Sequence, residues 1–404
     1  MTIPVIYLAL VAGLVLSSIA IAACALRYSG NAAWFGTYLC EHHKRRSPGR
    51  GRPVHVLLCI ADHFEPKADR VSHEMAAERV RSWVEQYPQV LGQFRDSDDR
   101  PPRHTFFYPI EQYEPRFLDA LAGLCQHGYG EVEIHLHHDR DNAQRMRRAL
   151  LTFKELLADR HGLMARSAET GEVSYAFVHG NWALDNCLHS GRWCGVNNEL
   201  DILRETGCYA DFTLPSVPEP AQTRKINSIY YAVDDPSRPK SHDWGVDVGS
   251  NPRPDRALLL IQGPLLLNWK SRKWGVLPRL ENACLQGSQP PSIERLDLWL
   301  KARIQVRSRP DWFFVKLHTH GTGQANQRAL LGDQMIRFHE ALAERAARQS
   351  EFHYHYVTAR EMANLVHAAE AGWEGSVADA RDFAFLPPTF STLVASSVQS
   401  GTSR

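Results

Sequence analysis

No Asp, Glu, Lys or Arg occurs in residues 1–26, and small or weakly polar residues are all that interrupt the apolar run. A packing helix keeps a polar face, so this absence argues against an ordinary core helix. At about 1.5 Å per residue the stretch is long enough for a hydrocarbon core of about 30 Å, which predicts one N-terminal transmembrane helix over residues 3–26. No positively charged region precedes it, as a cleaved signal peptide would require.

Other absences narrow the function. The eight cysteines include no Cys-x-x-Cys pair, so neither a zinc knuckle nor a disulfide framework is indicated, and free thiols suit a reducing compartment. No Gly-x-Gly-x-x-Gly and no Gly-x-x-x-x-Gly-Lys-Ser/Thr occurs, which removes support for a nucleotide-binding sheet. A net charge of +1 without a basic stripe gives no reason to expect nucleic acid as a partner. The basic residues that do cluster, Arg27, Lys44, Arg45, Arg46, Arg50 and Arg52, follow the apolar run. They favour a cytoplasmic location for what comes after and contact with anionic lipid. Ile21-Ala22-Ala23-Cys24 resembles a lipoprotein cleavage box, which would instead make a lipid on Cys24 the anchor.

The chain divides into an anchor (1–27), a polar juxtamembrane linker (28–52), a large α/β region (53–371) and a tail rich in Ser, Thr and Ala (372–404) that reads as disordered. Strand signals fall at 54–60, 105–108, 132–137, 175–178, 211–214, 258–262, 312–318 and 354–357. Helical periodicity lies between them, as in Met146, Leu150, Phe153, Leu157 and in Leu331, Met335, Phe338, Leu342. Seven or eight mostly parallel strands follow, and a distorted (β/α) barrel is preferred over an open doubly wound sheet. Residues 221–275, rich in Pro, Trp and Tyr, break the rhythm and read as an excursion over the barrel mouth.

In such a barrel the working residues stand where strands end. The first strand ends in Ala61-Asp62-His63. The third, Glu131-Val-Glu-Ile-His-Leu-His-His-Asp139, turns Glu133, His135 and His137 to one face. Another strand ends in Leu317-His318-Thr319-His320. Imidazole and carboxylate are the usual ligands of a catalytic divalent ion, so Asp62, His63, His135 and Asp139 point to metal. His353 and His355, by contrast, read as hydrogen-bonded structural histidines.

These motifs, in this order over 54–365, resemble the polysaccharide deacetylases, metal-dependent carbohydrate esterases on a distorted β/α barrel. Where that family has two aspartates after the first strand, Asp62 and His63 stand here; the resemblance makes Asp62 the catalytic base and His63 a ligand. Where it has His-x-x-x-His, His135 and Asp139 stand, giving a His63, His135, Asp139 set for a divalent ion, zinc above others. The family's Arg-Pro pair is replaced by Phe177-Val-His-Gly-Asn-Trp-Ala-Leu-Asp-Asn186, whose His179, Asn181, Trp182 and Asp185 would face the sugar. Val315-Lys-Leu-His-Thr-His320 is similar to the family's last motif, which makes His318 the general acid with His320 beside it. The implied function is removal of N-acetyl or related acyl groups from a lipid-linked or membrane-proximal glycan, as in exopolysaccharide biosynthesis. The protein would then be single-pass in the inner membrane, with its enzyme domain cytoplasmic by charge and periplasmic by resemblance. Two other readings stand beside it: a glycoside hydrolase using Asp62 with Asp139 or Asp185, and an inactive saccharide-binding scaffold.

Overall fold

The computed structural model describes residues 32–41, 51–250 and 252–390, together with scattered positions between 13 and 24. Strands β1 (Val54–His63), β2 (His104–Pro109) and β3 (Gly130–Leu136) come first, followed by a short β4 (Ala165–Ser167), then β5 (Val173–His179) and β6 (Cys208–Asp211). Next are β7 (Ile229–Val233), β8 (Val246–Asp247) and β9 (Ala257–Ile261), and a hairpin of β10 (Leu266–Lys273) and β11 (Leu277–Glu281). β12 (Cys284–Leu285), β13 (Trp312–Thr319), β14 (Phe352–Tyr356) and β15 (Phe385–Leu386) complete the order.

β1 pairs with three other strands. Its apolar run is buried on both faces, as parallel strands covered on two sides are. It pairs in parallel with β13 on one side and, on the other, with β14 along its first half and β2 at its end. The path β12-β13-β1-β2-β3-β5-β6-β9-β7-β8 runs through a 13-stranded sheet, mostly parallel, with β7 and β8 added antiparallel at one edge.

Alternation along the strands gives this sheet two different faces. Val56, Leu58, Ile134 and Leu317 pack with the helices His73–Leu91, Pro115–Gln126, Ala143–Asp159 and Asp333–Arg348. The expected stripes are all buried there: Met146, Leu150, Phe153 and Leu157 on one helix, Met335, Phe338 and Leu342 on another. Leu331 is buried too, just ahead of Gly332, where the chain turns into the second helix. On the opposite face Leu57, Cys59, Val178 and Phe314 pack with the helix Ala359–Glu370, which a Thr358/Glu361 capping box begins.

Several expectations are corrected. The barrel does not close: among the described residues β12 and β8 are not paired with each other, because antiparallel β7 and β8 occupy the edge beyond β9. The sheet nonetheless curls until the ends of β6 and β9 reach β13. Gly263 donates to Leu214 O, and Lys316 Nζ donates to the same oxygen at 3.0 Å. A Cβ on Gly263 would stand 2.4 Å from Lys316 O, so only glycine permits this approach.

The single-pass membrane protein is likewise corrected. Among the described residues no helix is long and apolar enough to cross a membrane; most of the predicted span at 3–26 lies outside the described residues. The linker read as polar holds the helix Ala32–Glu41, about half the length a span needs. Its Trp34 is buried against Val217, Ile226 and Leu265. The tail read as disordered is ordered to residue 390. β15 pairs with β4, and Arg381 is buried on Asp96, Asp98 and Glu361; residues 391–404 lie outside the described residues. The excursion at 221–275 supplies β7, β8, β9 and β10.

Candidate metal centre and cleft

The face that carries Leu57, Cys59 and Ala61 brings His63 to the carboxyl end of β1, and the same alternation brings His135 on β3 and His318 on β13. Glu65, just past β1, reaches across to them. Its Oε1 lies 3.3 Å from His135 Nε2, 3.7 Å from His137 Nε2 and 3.9 Å from His320 Nε2. The His63 ring centre is 4.9 Å from that of His135 and 4.6 Å from that of His320. Donor atoms of His63, Glu65 and His135 all fall within 4.8 Å of one another, a group able to hold a metal ion.

The hydrogen bonds around this group orient it. His135 Nδ1 is 2.8 Å from Val178 O. A carbonyl only accepts, so Nδ1 carries the hydrogen and Nε2 is the ring atom turned toward Glu65. Two acceptors facing each other are unfavourable unless a proton or a cation lies between them. His63 Nε2 is buried with no hydrogen-bond partner, a second nitrogen free to ligate. His137 Nδ1 rests 2.6 Å from Glu111 Oε1.

Electrostatics follow from burial and these contacts. Burial, reinforced by neighbouring imidazoles, holds His63 well below the usual histidine range, and burial with Lys316 does the same to His318. Burial also lowers His320. For Glu65 burial pushes upward, but His135, His320 and His137 outweigh it and keep the carboxyl below its ordinary value. His137 is raised because Glu111 and Glu65 outweigh its burial. The net arrangement is one carboxylate among several imidazoles, of which His63, His318 and His320 are lowered and His137 is raised.

A cleft of about 630 Å³ opens beside the group, with Trp182, Pro218, Trp274, Cys284, His318 and His320 in its wall. Trp182 stands with its ring centre 5.8 Å from both His63 and His320. Its backbone has φ 55°, and Asn181, Asp185 and Asn186 in the same loop also lie at positive φ, between 50° and 54°. Left-handed backbone at a bulky residue is costly and tends to persist where a site requires it.

The predicted site residues do not all meet. His63, His135, His318, His320 and Trp182 come together at the cleft. Asp62 points to the other face: its oxygens are held by His104 Nε2 at 2.9 Å and Gly321 N at 2.6 Å. Asp139 is exposed and accepts from Trp193 N at 2.6 Å, so the carboxylate beside His63 and His135 is Glu65 instead. His179 faces the helix layer with His138 and Glu199. Asp185 is fully buried and accepts from Ser241 N at 2.6 Å; burial pushes its carboxyl up to about 8. Asn181 is half-buried in the turn that presents Trp182. Glu65 escaped the sequence reading because it follows β1 rather than ending it. Its one signal was position, two residues after His63. In comparisons with known proteins, the chain matches no family model and no curated protein.

Proposed function

We propose that this cleft hydrolyses the N-acetyl or a related acyl group of a saccharide, with zinc held by His63, Glu65 and His135. The observation that carries the reading is the convergence of those three side chains on one point at the cleft. Their two imidazoles and one carboxylate match the donor set of hydrolytic zinc sites, and the unpartnered His63 Nε2 and the inward lone pair of His135 fit a cation. A divalent ion bound there supplies Lewis acidity toward an acyl oxygen and makes a water more acidic.

The remaining work falls to the chain. His318 lines the cleft, is nearly fully buried and has an Nδ1 without a partner. It is the group to take a proton from the attacking water and return it to the departing amine. Trp182 and Trp274 offer flat apolar faces to a sugar ring. His137, fixed by Glu111, orients Glu65 rather than reacting. Asp62, tied to His104 and Gly321, supports the loop that bears His320.

Glycoside cleavage needs two free carboxyl groups across the scissile bond. Asp62, Asp139 and Asp185 are each engaged by a backbone N–H, so that reading finds no pair. Incubating the full chain with N-acetylated oligosaccharides distinguishes the products. Equal amounts of acetate and free amine support the proposal, new reducing ends point to glycoside cleavage, and saccharide binding without products points to a scaffold.

A further inference from the structure

β3 sends His137 toward the cleft, and the next residue, His138, turns to the opposite side of the sheet. There it meets His179 from the end of β5, Cys194 from the following loop and Glu199 at the start of the helix Glu199–Glu205. Donor atoms from all four lie within 4.8 Å of one another. His138 Nε2 and His179 Nε2 are 2.8 Å apart, and they stand 3.6 Å and 3.4 Å from Glu199 Oε1. Cys194 Sγ is 3.3 Å from Glu199 Oε2.

The outer atoms of these side chains are all committed. His179 Nδ1 lies 2.5 Å from Gly180 O, and His138 Nδ1 lies 3.2 Å from Asp141 Oδ2. Glu199 Oε2 accepts from Asp185 N at 2.6 Å. With both Nδ1 atoms turned outward to acceptors, the two Nε2 atoms face each other, an arrangement that needs a proton or a cation between them. Glu199 Oε1, in a fully buried side chain, has no hydrogen-bond partner and points into the same space. Burying a carboxylate in this way is expensive unless a counter-charge completes it.

We infer that His138, His179, Cys194 and Glu199 form a second, closed metal site for zinc or a similar borderline-soft divalent ion. Two imidazoles, one thiolate and one carboxylate supply four ligands, the number structural zinc takes. Outer nitrogens anchored to a carbonyl and a carboxylate are the support that ligating histidines require. Zinc at about 2.0–2.1 Å from each nitrogen needs them about 3.3 Å apart, so an adjustment of about half an ångström seats it. Side-chain exposure is 6% at His138 and 0% at His179 and Glu199, which leaves no open coordination position for a substrate. The site pins both ends of the strained loop that presents Trp182, and so its role is to hold the cleft wall in place.

The test uses the full chain, stripped of metal and reloaded with cobalt(II). The expected result is a near-ultraviolet sulfur-to-cobalt charge-transfer band that saturates near one equivalent, disappears in Cys194→Ser and persists in Glu65→Ala. The cleft group contains no sulfur, so this band reads the second site alone whether or not the proposed hydrolysis is correct. Should Cys194→Ser fail to fold, X-ray absorption of the zinc-loaded wild-type chain decides: a Zn–S shell at about 2.3 Å is expected. A wild-type protein with no sulfur band and only nitrogen and oxygen around zinc, or a band unchanged in Cys194→Ser, overturns the inference.

Discussion

Glu65 Oε1 and His135 Nε2 lie 3.3 Å apart although 70 residues separate them in the chain. His135 commits its Nδ1 hydrogen to Val178 O, so with no second ring proton this contact sets an imidazole lone pair against a carboxylate. Such a contact becomes favourable when a cation sits between the two. His63, whose ring is 4.9 Å from that of His135, supplies the third donor.

Removing Glu65 therefore acts on metal affinity before it acts on anything else. Glu65→Ala is expected to weaken divalent-metal binding at the cleft by at least about tenfold, comparable to or larger than the loss of a supporting contact. Titration calorimetry on the metal-stripped chain measures it. Asp139→Ala, outside the group, is expected to leave that affinity unchanged.

Asp62 is expected to behave as a support. A Cβ on Gly321 would lie 2.2 Å from Asp62 Oδ2 and 2.7 Å from Trp83 Cζ2. Gly321→Ala should then cost about 1–3 kcal/mol of stability by overpacking, read from denaturant unfolding. Asp62→Asn should lower stability while leaving the shape of the pH–rate profile as it is. A profile that lost its acidic limb in Asp62→Asn would restore Asp62 as the catalytic base.

Arg381 fastens the C-terminal segment through Asp96, Asp98 and Glu361, with Glu361 itself buried. Arg381→Ala strands buried carboxylates and is expected to cost about 3–5 kcal/mol in chemical denaturation. Burial pushes Glu361 upward, but Arg103, Arg381 and Arg360 outweigh it and bring its carboxyl down to about 2. A carboxyl depressed in the folded state stabilises above its unfolded value, about 4.3, and that contribution is lost as pH falls toward 2. Acid unfolding should start at a higher pH in the variant.

Asp211 works in the opposite sense. Burial pushes its carboxyl up to about 7, beside Lys316, whose amine burial brings down to about 8. The folded state holds this proton where the unfolded chain, with a value of about 3.9, releases it. The contribution of Asp211 is thus full below pH 4 and declines as pH rises to about 7. Asp211→Asn should flatten the stability profile over that window by up to about 1.4 kcal/mol per pH unit.

The sequence made the regular parts readable for a simple reason. β1 and β13 hold apolar runs, β3 alternates apolar with polar residues, and Met146, Leu150, Phe153 and Leu157 repeat at helical spacing. Periodicity therefore located them and brought His63, His135, His318 and His320 to one end of the sheet. It could not show that β7 runs antiparallel to β9, since residue patterns do not encode strand direction. Asp62 was misread by one register step: at a strand end, adjacent residues face opposite ways. Glu65, Cys194 and Glu199 were hidden because they lie on loops and a helix start, where no repeat marks which side chains converge. His355 is hydrogen-bonded, as the sequence suggested, with its Nδ1 2.9 Å from Asp98 Oδ2.

The most direct test of the metal-dependent cleft is acetate release from an N-acetylated oligosaccharide by the stripped full chain as zinc is added back. The account predicts negligible release without metal, a rise that saturates as the cleft group fills, and none at any zinc level in His135→Ala. Equal release from stripped and reloaded protein, or an unaffected His135→Ala chain, would contradict it.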